Sequence, residues 1–220
     1  MDLRHVALII WPLSWAGVIG AYVASATGGY LPDCVPHLTG CTSVSASGRY
    51  GAGFFIFKAT IIPVAVLLML YWYLCERWLL ALGDAPGKWR NGMLAVGVVG
   101  AVALVLYATF LGSEGDFERA MRRYGTVVYF GFTYLAELLL LYRARAVLGM
   151  TRLVRIKLIL CFAMLVEGLA LEAFTYFIPD DAWLENLTEW HVASALTFYP
   201  TLTWLLWRQA GFTIDFRVNR

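Results

Sequence analysis

The fold of this chain is organised around one polar stretch, residues 28–58, which reads GGYLPDCVPHLTGCTSVSASGRYGAGFFIFK. It is the only long polar interruption in an otherwise apolar sequence, and it contains two of the four cysteines and one of the three histidines. The stretch ends where Lys58 enters a run of apolar residues. We predict that the rest of the chain forms helices that hold this segment at a membrane surface.

The composition around this stretch indicates the class of protein. Of the 220 residues, 60% are hydrophobic and only 15% are charged, and the mean hydropathy is +0.68. Soluble domains have about 25% charged residues, whereas repeated runs of about 20 apolar residues are typical of membrane-spanning helices. The formal net charge of +2 is too small to suggest binding to nucleic acid. We therefore predict an integral membrane protein with a single domain, residues 1–220.

Six apolar runs are long enough to cross a bilayer, so the sequence predicts an all-α polytopic membrane helical bundle. The first run contains Pro12 and is longer than the apolar part of a signal peptide, so we interpret it as a retained helix rather than a cleaved leader. Residues 25–52 form an external loop in this prediction. Gly97 and Gly100 in the third helix are either close-packing points or glycines that lipid simply tolerates. The six predicted helices are residues 6–24, 53–75, 91–111, 124–142, 156–178 and 190–207.

The positions of lysine and arginine predict the orientation. With the N-terminus in the cytoplasm, twelve basic residues lie inside and four outside, which gives six spans with both termini inside. The inside set is Arg4, Arg77, Lys88, Arg90, Arg143, Arg145, Arg152, Arg155, Lys157, Arg208, Arg217 and Arg220, and the outside set is Arg49, Arg119, Arg122 and Arg123. Tryptophans near the two faces fit interfacial belts. They are Trp183 and Trp190 at one face and Trp72, Trp78, Trp89 and Trp207 at the other.

Two cysteines, Cys34 and Cys41, lie seven positions apart in the external loop. In an oxidising compartment they can close a disulfide, and two free thiols are the alternative. Cys75 and Cys161 are expected to pack as small apolar residues. The chain has no clustered Cys and His ligand set, so we expect no metal site. It also lacks the common phosphate-binding, hydrolase and dinucleotide motifs, so we expect no cofactor.

Ionisable residues inside the predicted spans are the sharpest functional signal. Each costs on the order of 2.5–3.5 kcal/mol at a helix centre, so each is expected to face the bundle or water. They are Lys58 in the second helix, Glu137 in the fourth, and Glu167 and Glu172 in the fifth. Glu167 and Glu172 are offset by about 140° around a helix and cannot share one face.

The topology places Lys58 and Glu172 at matching depth below the external surface, with His191 just above them. Opposite charges in hydrocarbon lower each other's cost by meeting. We therefore predict a Lys58–Glu172 pair with His191 as the lid of one polar pocket that binds a lipid headgroup. Two structural alternatives remain: Lys58 extends to the headgroups, or the pair only locks the helices together.

Short motifs in this sequence resemble those of a known membrane-protein family. Ser43–Gly48 (SVSASG) precedes an aromatic helix start at Phe54–Phe57 (FFIF), and Tyr124–Thr126 (YGT) opens the fourth helix. This pattern is similar to the DRAM and post-GPI-attachment-factor-two type of protein, also found as the N-terminal part of the yeast cell-wall protein CWH. The resemblance implies a role in lipid handling: remodelling of lipid anchors, phosphoinositide-linked regulation or membrane lipid organisation. It carries over no catalytic residue.

Three functions follow from these observations. The first is a non-catalytic protein that handles membrane lipids and binds a headgroup near the external face. The second is an intramembrane lipid-modifying enzyme that uses Glu172 and His191 as catalytic acid and base groups. The third is an accessory subunit with a protein partner in the membrane, because helices that are apolar all round can contact either lipid or a partner.

Overall fold

The structure, a computed structural model, describes residues 2–85, 87–177 and 182–213. In these residues the regular structure is entirely helical, as predicted. Two of the helices are single turns in the loop that follows the first helix, and the other six are long. The helices are α1 (His5–Thr27), α2 (Pro36–Thr39), α3 (Val44–Ser47), α4 (Gly51–Ala81), α5 (Lys88–Phe110), α6 (Asp116–Leu148), α7 (Arg152–Phe177) and α8 (Ala182–Gln209).

Five helices, α1, α4, α5, α6 and α7, are long and apolar enough to cross a membrane. This confirms the coarse prediction of a helical bundle with several membrane-span candidates. The remaining long helix, α8, has 28 residues and therefore extends about 42 Å. Its uncharged stretch, residues 190–207, has a modest hydropathy because His191, Ser194, Pro200 and three threonines interrupt the apolar residues.

The bundle has two distinguishable ends. The loop end carries α2 and α3, the first turns of α4, α6 and α8, and the last turns of α1, α5 and α7. The loop is attached to α8, because the Asn186 amide donates to Gly40 O at 2.9 Å and the Trp190 indole donates to Thr42 O at 2.8 Å. The opposite end carries the first turns of α1, α5 and α7 and the last turns of α4, α6 and α8.

The connections between the long helices are shorter than predicted. The helix α4 continues to Ala81 instead of ending at residue 75, and it runs through Pro63 without a break. The helix α6 begins at Asp116 instead of residue 124. An apolar run marks only the part of a helix that suits hydrocarbon, so polar turns beyond it escape this kind of prediction. The first two turns of α6 therefore extend past its apolar part at the loop end.

Most of the tryptophans assigned to interfacial belts fill the core instead. The belt prediction is wrong for Trp72, Trp78, Trp190 and Trp207, which are fully buried, and only Trp89 and Trp183 are exposed. Glycines make room for some of these rings: a Cβ at Gly97 would collide with the ring of Trp72. Gly100 lies close to Thr133 in the same way, so both glycines are close-packing points between helices.

The helix α7 is the least integrated of the candidate spans. Only 11% of its most apolar segment is buried, against 33–44% for the other four. Its buried residues, which end at Met164, all belong to the half near the opposite end. From Leu165 to Phe177 each residue of α7 is partly or fully exposed. This loose packing opens a groove beside α7 near the loop end.

Candidate functional site

The predicted pocket of Lys58, Glu172 and His191 is not formed. The Lys58 ammonium donates to Thr109 O at 2.8 Å and lies 3.8 Å from the centroid of the Phe54 ring. Among the described residues Lys58 makes no ion pair, so the predicted Lys58–Glu172 pair is wrong. The physical reason is that Thr109 lies in the last turn of α5, where carbonyl groups lack partners within the helix.

His191 also has different partners from those predicted. Its Nδ1 lies 3.4 Å from Glu167 Oε1, and its Nε2 lies 3.1 Å from His37 O. The His37 ring packs between Trp15 and Trp190, with centroid distances of 4.8 and 4.7 Å. Burial there, together with the charge of nearby His191, lowers the pKa of His37. His191 thus joins α7 to the loop instead of covering Lys58.

Cys34 and Cys41 lie at disulfide distance, with their Cα atoms 6.8 Å apart. The segment is held against α1 by Tyr22, whose hydroxyl donates to Cys34 O at 2.7 Å and accepts from the Cys34 N–H at 2.9 Å. Cys75 and Cys161 are buried, in line with a packing role. The geometry of the loop therefore suits the predicted disulfide.

The four arginines assigned to the outside converge on one cavity at the loop end. This arginine cavity has a volume of about 210 Å³ and is lined by Ser45, Arg49, Tyr107, Leu111, Arg119, Arg122, Arg123 and Thr126. Arg49 comes from the segment between α3 and α4. The other three arginines lie on one face of the first turns of α6, because positions three and four apart on a helix are neighbours. Among the residues that the structure describes, no acidic side chain lines the cavity.

The positive charge of the arginine cavity is largely uncompensated. Among the described residues only Arg119 forms an ion pair, with Asp116 at 3.8 Å, and that pair is exposed. Glu189, which accepts a hydrogen bond from the Ser45 N–H, also interacts with the charge of Arg49 without forming an ion pair. The Arg122 guanidinium donates to Ser113 O at 2.6 Å, which orients it without neutralising it. Guanidinium groups bind phosphate through paired, charge-assisted hydrogen bonds. The cavity therefore has the charge and the donors for an anion such as a phosphate group.

A lateral groove of about 300 Å³ opens between α6, α7 and α8. It is lined by Phe130, Gly131, Tyr134, Met164, Leu165, Gly168, Leu169, Glu172, Val192 and Leu196. Two glycines keep it open, because a Cβ at Gly131 or at Gly168 would have no heavy atom within 4 Å. Glu172 is the only charged residue among the described residues of the lining. The lateral groove has the apolar walls that suit a hydrocarbon chain.

A small central cavity of about 60 Å³ lies between these two sites. Tyr107 lines both the central cavity and the arginine cavity, and Phe130 lines both the central cavity and the lateral groove. Glu189 also lines the central cavity, where its carboxylate accepts a hydrogen bond from the Ser45 N–H at 3.2 Å. The arginine cavity and the lateral groove are thus both neighbours of the central cavity, along the first half of α6.

A buried ion pair that the sequence analysis missed lies deeper in the bundle. The side chains of Glu137 and Lys157 are 0% exposed, and Lys157 Nζ lies 3.8 Å from Glu137 Oε2. The Lys157 ammonium donates to Thr203 Oγ1 at 2.5 Å and lies 3.6 Å from the Tyr199 ring centroid. The Tyr71 hydroxyl donates to Glu137 Oε1 at 3.2 Å. This network joins α4, α6, α7 and α8.

Lys157 escaped prediction because of where the fifth helix was expected to begin. A start at residue 156 leaves Lys157 at the membrane edge, among the basic residues of the cytoplasmic side. The helix begins at Arg152, so Lys157 lies in its second turn and points into the bundle. One signal could have identified the pair: Glu137 was the intramembrane acid closest to the same end, and Lys157 was the nearest base at that depth.

Comparison with known proteins assigns this chain to no family. No family model, no curated protein and no solved structure matches it. The resemblance to the DRAM and post-GPI-attachment-factor-two type therefore stays a prediction, and the function is argued from the geometry of the chain itself.

Proposed function

We propose that this protein binds a phospholipid through the phosphate of its headgroup, at the external end of a six-span bundle. The observation that carries this proposal is the arginine cavity, in which four guanidinium groups surround about 210 Å³ with no acid in the lining. Four cations held around one small space repel one another, so a phosphate that enters relieves the repulsion. Basic pockets at the membrane surface are typical sites for phosphate-bearing headgroups.

The proposed orientation puts the loop end outside and both termini inside. It is supported by the excess of lysine and arginine at the opposite end of the bundle. Two basic residues of the predicted inside set, Arg217 and Arg220, lie outside the described residues, as do residues 178–181 between α7 and α8. The external position of the arginine cavity follows from this orientation.

Single cysteines test the orientation and the span count together. In intact cells a membrane-impermeant maleimide should label Glu114→Cys, between α5 and α6, whereas Met150→Cys and Thr213→Cys should be labelled only after permeabilisation. The native Cys75 and Cys161 are buried and give little background. Labelling of Glu114→Cys and Met150→Cys from the same side would contradict a membrane-spanning α6. Labelling of Met150→Cys and Thr213→Cys from different sides would show that α7 and α8 do not both span the membrane.

The phosphate site is tested by neutralising two arginines of the cavity. The double variant Arg49→Gln with Arg123→Gln should retain phosphatidylglycerol at least about tenfold less well, because each charge-assisted hydrogen bond contributes roughly 1.5–3 kcal/mol. Retention is measured by native mass spectrometry of the purified protein in detergent. Diacylglycerol with the same chains lacks the phosphate and should be retained weakly by both proteins.

The matched control removes the same charge from the other end of the bundle. Arg152→Gln with Arg155→Gln replaces two exposed arginines of α7 and should leave retention of phosphatidylglycerol unchanged. If both double variants lose the lipid equally, the effect comes from net charge and the arginine cavity is not the site. If wild-type protein retains diacylglycerol as well as phosphatidylglycerol, phosphate recognition is absent and the proposal fails.

A second candidate function, a lipid-modifying enzyme, is favoured by the pairing of Glu167 with His191. A carboxylate 3.4 Å from an imidazole can orient it and stabilise its protonated form, as general acid–base catalysis requires. The neighbouring residue Val192 lines the lateral groove, so a bound lipid would lie close to this pair. Chemical change of the retained lipid, abolished by His191→Gln, would favour the enzyme, and an unchanged lipid mass favours binding alone.

A further inference from the structure

We propose that the ligand is a phosphatidylethanolamine-type lipid, with its phosphate in the arginine cavity, its ammonium at Glu172 and one acyl chain in the lateral groove. This inference rests on the proposed function and extends it to the class of lipid. It is carried by the α6 face that leads from the arginines to the groove and by two opposite charges: an arginine cavity with no acid among its described lining residues, and a Glu172 carboxylate that makes no ion pair among the described residues.

One face of α6 leads from the arginines to the groove. Arg123, Val127, Gly131 and Tyr134 follow one another at helical spacing, and Val127 between them is 63% exposed. Gly131 lies eight residues beyond Arg123, which is about 12 Å along the helix axis. One leaflet of a bilayer is about 15 Å of hydrocarbon. A lipid with its phosphate at Arg123 would therefore have the first half of its chain at the level of Gly131.

Glu172 lines the lateral groove on its loop-end side. The helix α7 runs toward the loop end, so Glu172 is one turn nearer that end than Gly168, and α6 runs away from it, so Arg123 is two turns nearer that end than Gly131. The Glu172 carboxylate makes no ion pair among the described residues. An unpaired carboxylate at the edge of hydrocarbon is unfavourable, and a cationic partner stabilises it.

The two unpaired charges match a zwitterionic headgroup. The arginines supply positive charge for the phosphate of the headgroup. Glu172 supplies negative charge for its ammonium, which two carbons separate from the phosphate oxygen. A primary ammonium has three N–H donors for a carboxylate. A choline headgroup has no N–H donor and is usually recognised by aromatic cages. The arrangement therefore favours ethanolamine over choline.

The headgroup preference is tested with two lipids that have identical chains. Wild-type protein in detergent should retain phosphatidylethanolamine about fivefold better than phosphatidylcholine, the size expected for one partly exposed ion pair. Glu172→Gln should retain the two lipids equally while still depending on Arg49 and Arg123. Equal retention by the wild type, or a preference that survives Glu172→Gln, would overturn the assignment of Glu172.

The acyl-chain site is tested by filling the groove. Gly131→Leu with Gly168→Leu adds side chains where a Cβ meets no atom, so the fold should be kept while retention of both lipids falls about tenfold or more. Gly92→Leu, at an equally open position on α5, is the control and should change nothing. Thermal unfolding must confirm that all three proteins are folded.

Two outcomes would overturn the chain site while leaving the phosphate site intact. Lipid retained at wild-type level by the filled groove would show that the chain lies elsewhere. Soluble glycerophosphoethanolamine that competes as well as the full lipid would show that only the headgroup is recognised. Failure of the Arg49→Gln and Arg123→Gln variant to lose lipid would instead overturn the proposed function itself.

Discussion

Replacing Lys157 with methionine is expected to lower the free energy of unfolding by about 3–5 kcal/mol, because it leaves the Glu137 carboxylate buried and unpaired. Both side chains are 0% exposed, so water cannot compensate for the lost partner. The same substitution also removes the hydrogen bond to Thr203 and the contact with the Tyr199 ring. The change is measured by reversible unfolding in mixed micelles.

A double-mutant cycle separates the ion pair from the loss of a buried side chain. Lys157→Met combined with Glu137→Gln should recover part of the stability, since no buried charge remains. Lys58→Met is the matched control: it removes a partly exposed lysine that has no ion pair among the described residues and contacts a helix-end carbonyl and the Phe54 ring, and it should cost about 1 kcal/mol. Additive effects at Glu137 and Lys157 would show that the two charges do not interact.

Replacing Trp190 with alanine is expected to cost about 3–5 kcal/mol and to detach the loop from α8. The Trp190 ring is fully buried, packs against Trp15 and His37, and donates a hydrogen bond to Thr42 O at 2.8 Å. Its removal would leave a large cavity and an unpaired carbonyl. Detachment of the loop is measured as faster cleavage of residues 28–50 in limited proteolysis. The loss of stability is measured as the change in the free energy of unfolding in micelles.

Trp183→Ala provides the comparison on the same helix. This tryptophan lies two turns earlier and is 46% exposed, so its replacement should cost less than about 1 kcal/mol and leave the loop protected. Equal destabilisation by the two substitutions would mean that Trp190 lies at the membrane interface, as the sequence analysis first predicted, and that it does not hold the loop.

The helical architecture was predictable because hydrocarbon imposes a simple requirement. Six predicted apolar runs correspond to the six long helices of the described residues, and five of these helices are long and apolar enough to cross a membrane. The polar stretch at residues 28–58 marks the loop. The positions of lysine and arginine relative to the apolar runs also separate the four arginines of the loop end from the larger basic set at the other end. These features depend on local sequence alone, so pattern reading recovers them.

The convergence of the arginines depends on details that apolar runs do not report. Arg49 lies in a loop, and Arg119, Arg122 and Arg123 were assigned to a polar connection between helices. They share one face only because α6 begins at Asp116, and they meet Arg49 only because the loop folds over α5 and α6. A helix that starts eight residues before the predicted apolar run therefore brings these separate charges together in one site.

The pairing of ionisable groups and the groove depend on tertiary packing. Depth along the membrane normal was a reasonable guide, but depth alone cannot distinguish which face of the bundle a side chain occupies. Lys58 therefore bonds to α5, while Glu172 lines the groove between α6, α7 and α8. The helix α7 is apolar enough to cross a membrane, as the other candidate spans are. Its loose packing, which opens the groove, therefore cannot be recognised from its composition.

Photo-labelling by a single retained lipid tests the central claim most directly. Phosphatidylethanolamine with a diazirine in the middle of one chain is bound to the purified protein, excess lipid is removed, and the cross-linked peptides are mapped by mass spectrometry. The account predicts label concentrated in residues 130–134 of α6 and 164–172 of α7, and lost in the Arg49→Gln and Arg123→Gln variant. Label spread evenly over the apolar faces of α1, α4 and α5, or unchanged in that variant, would contradict it.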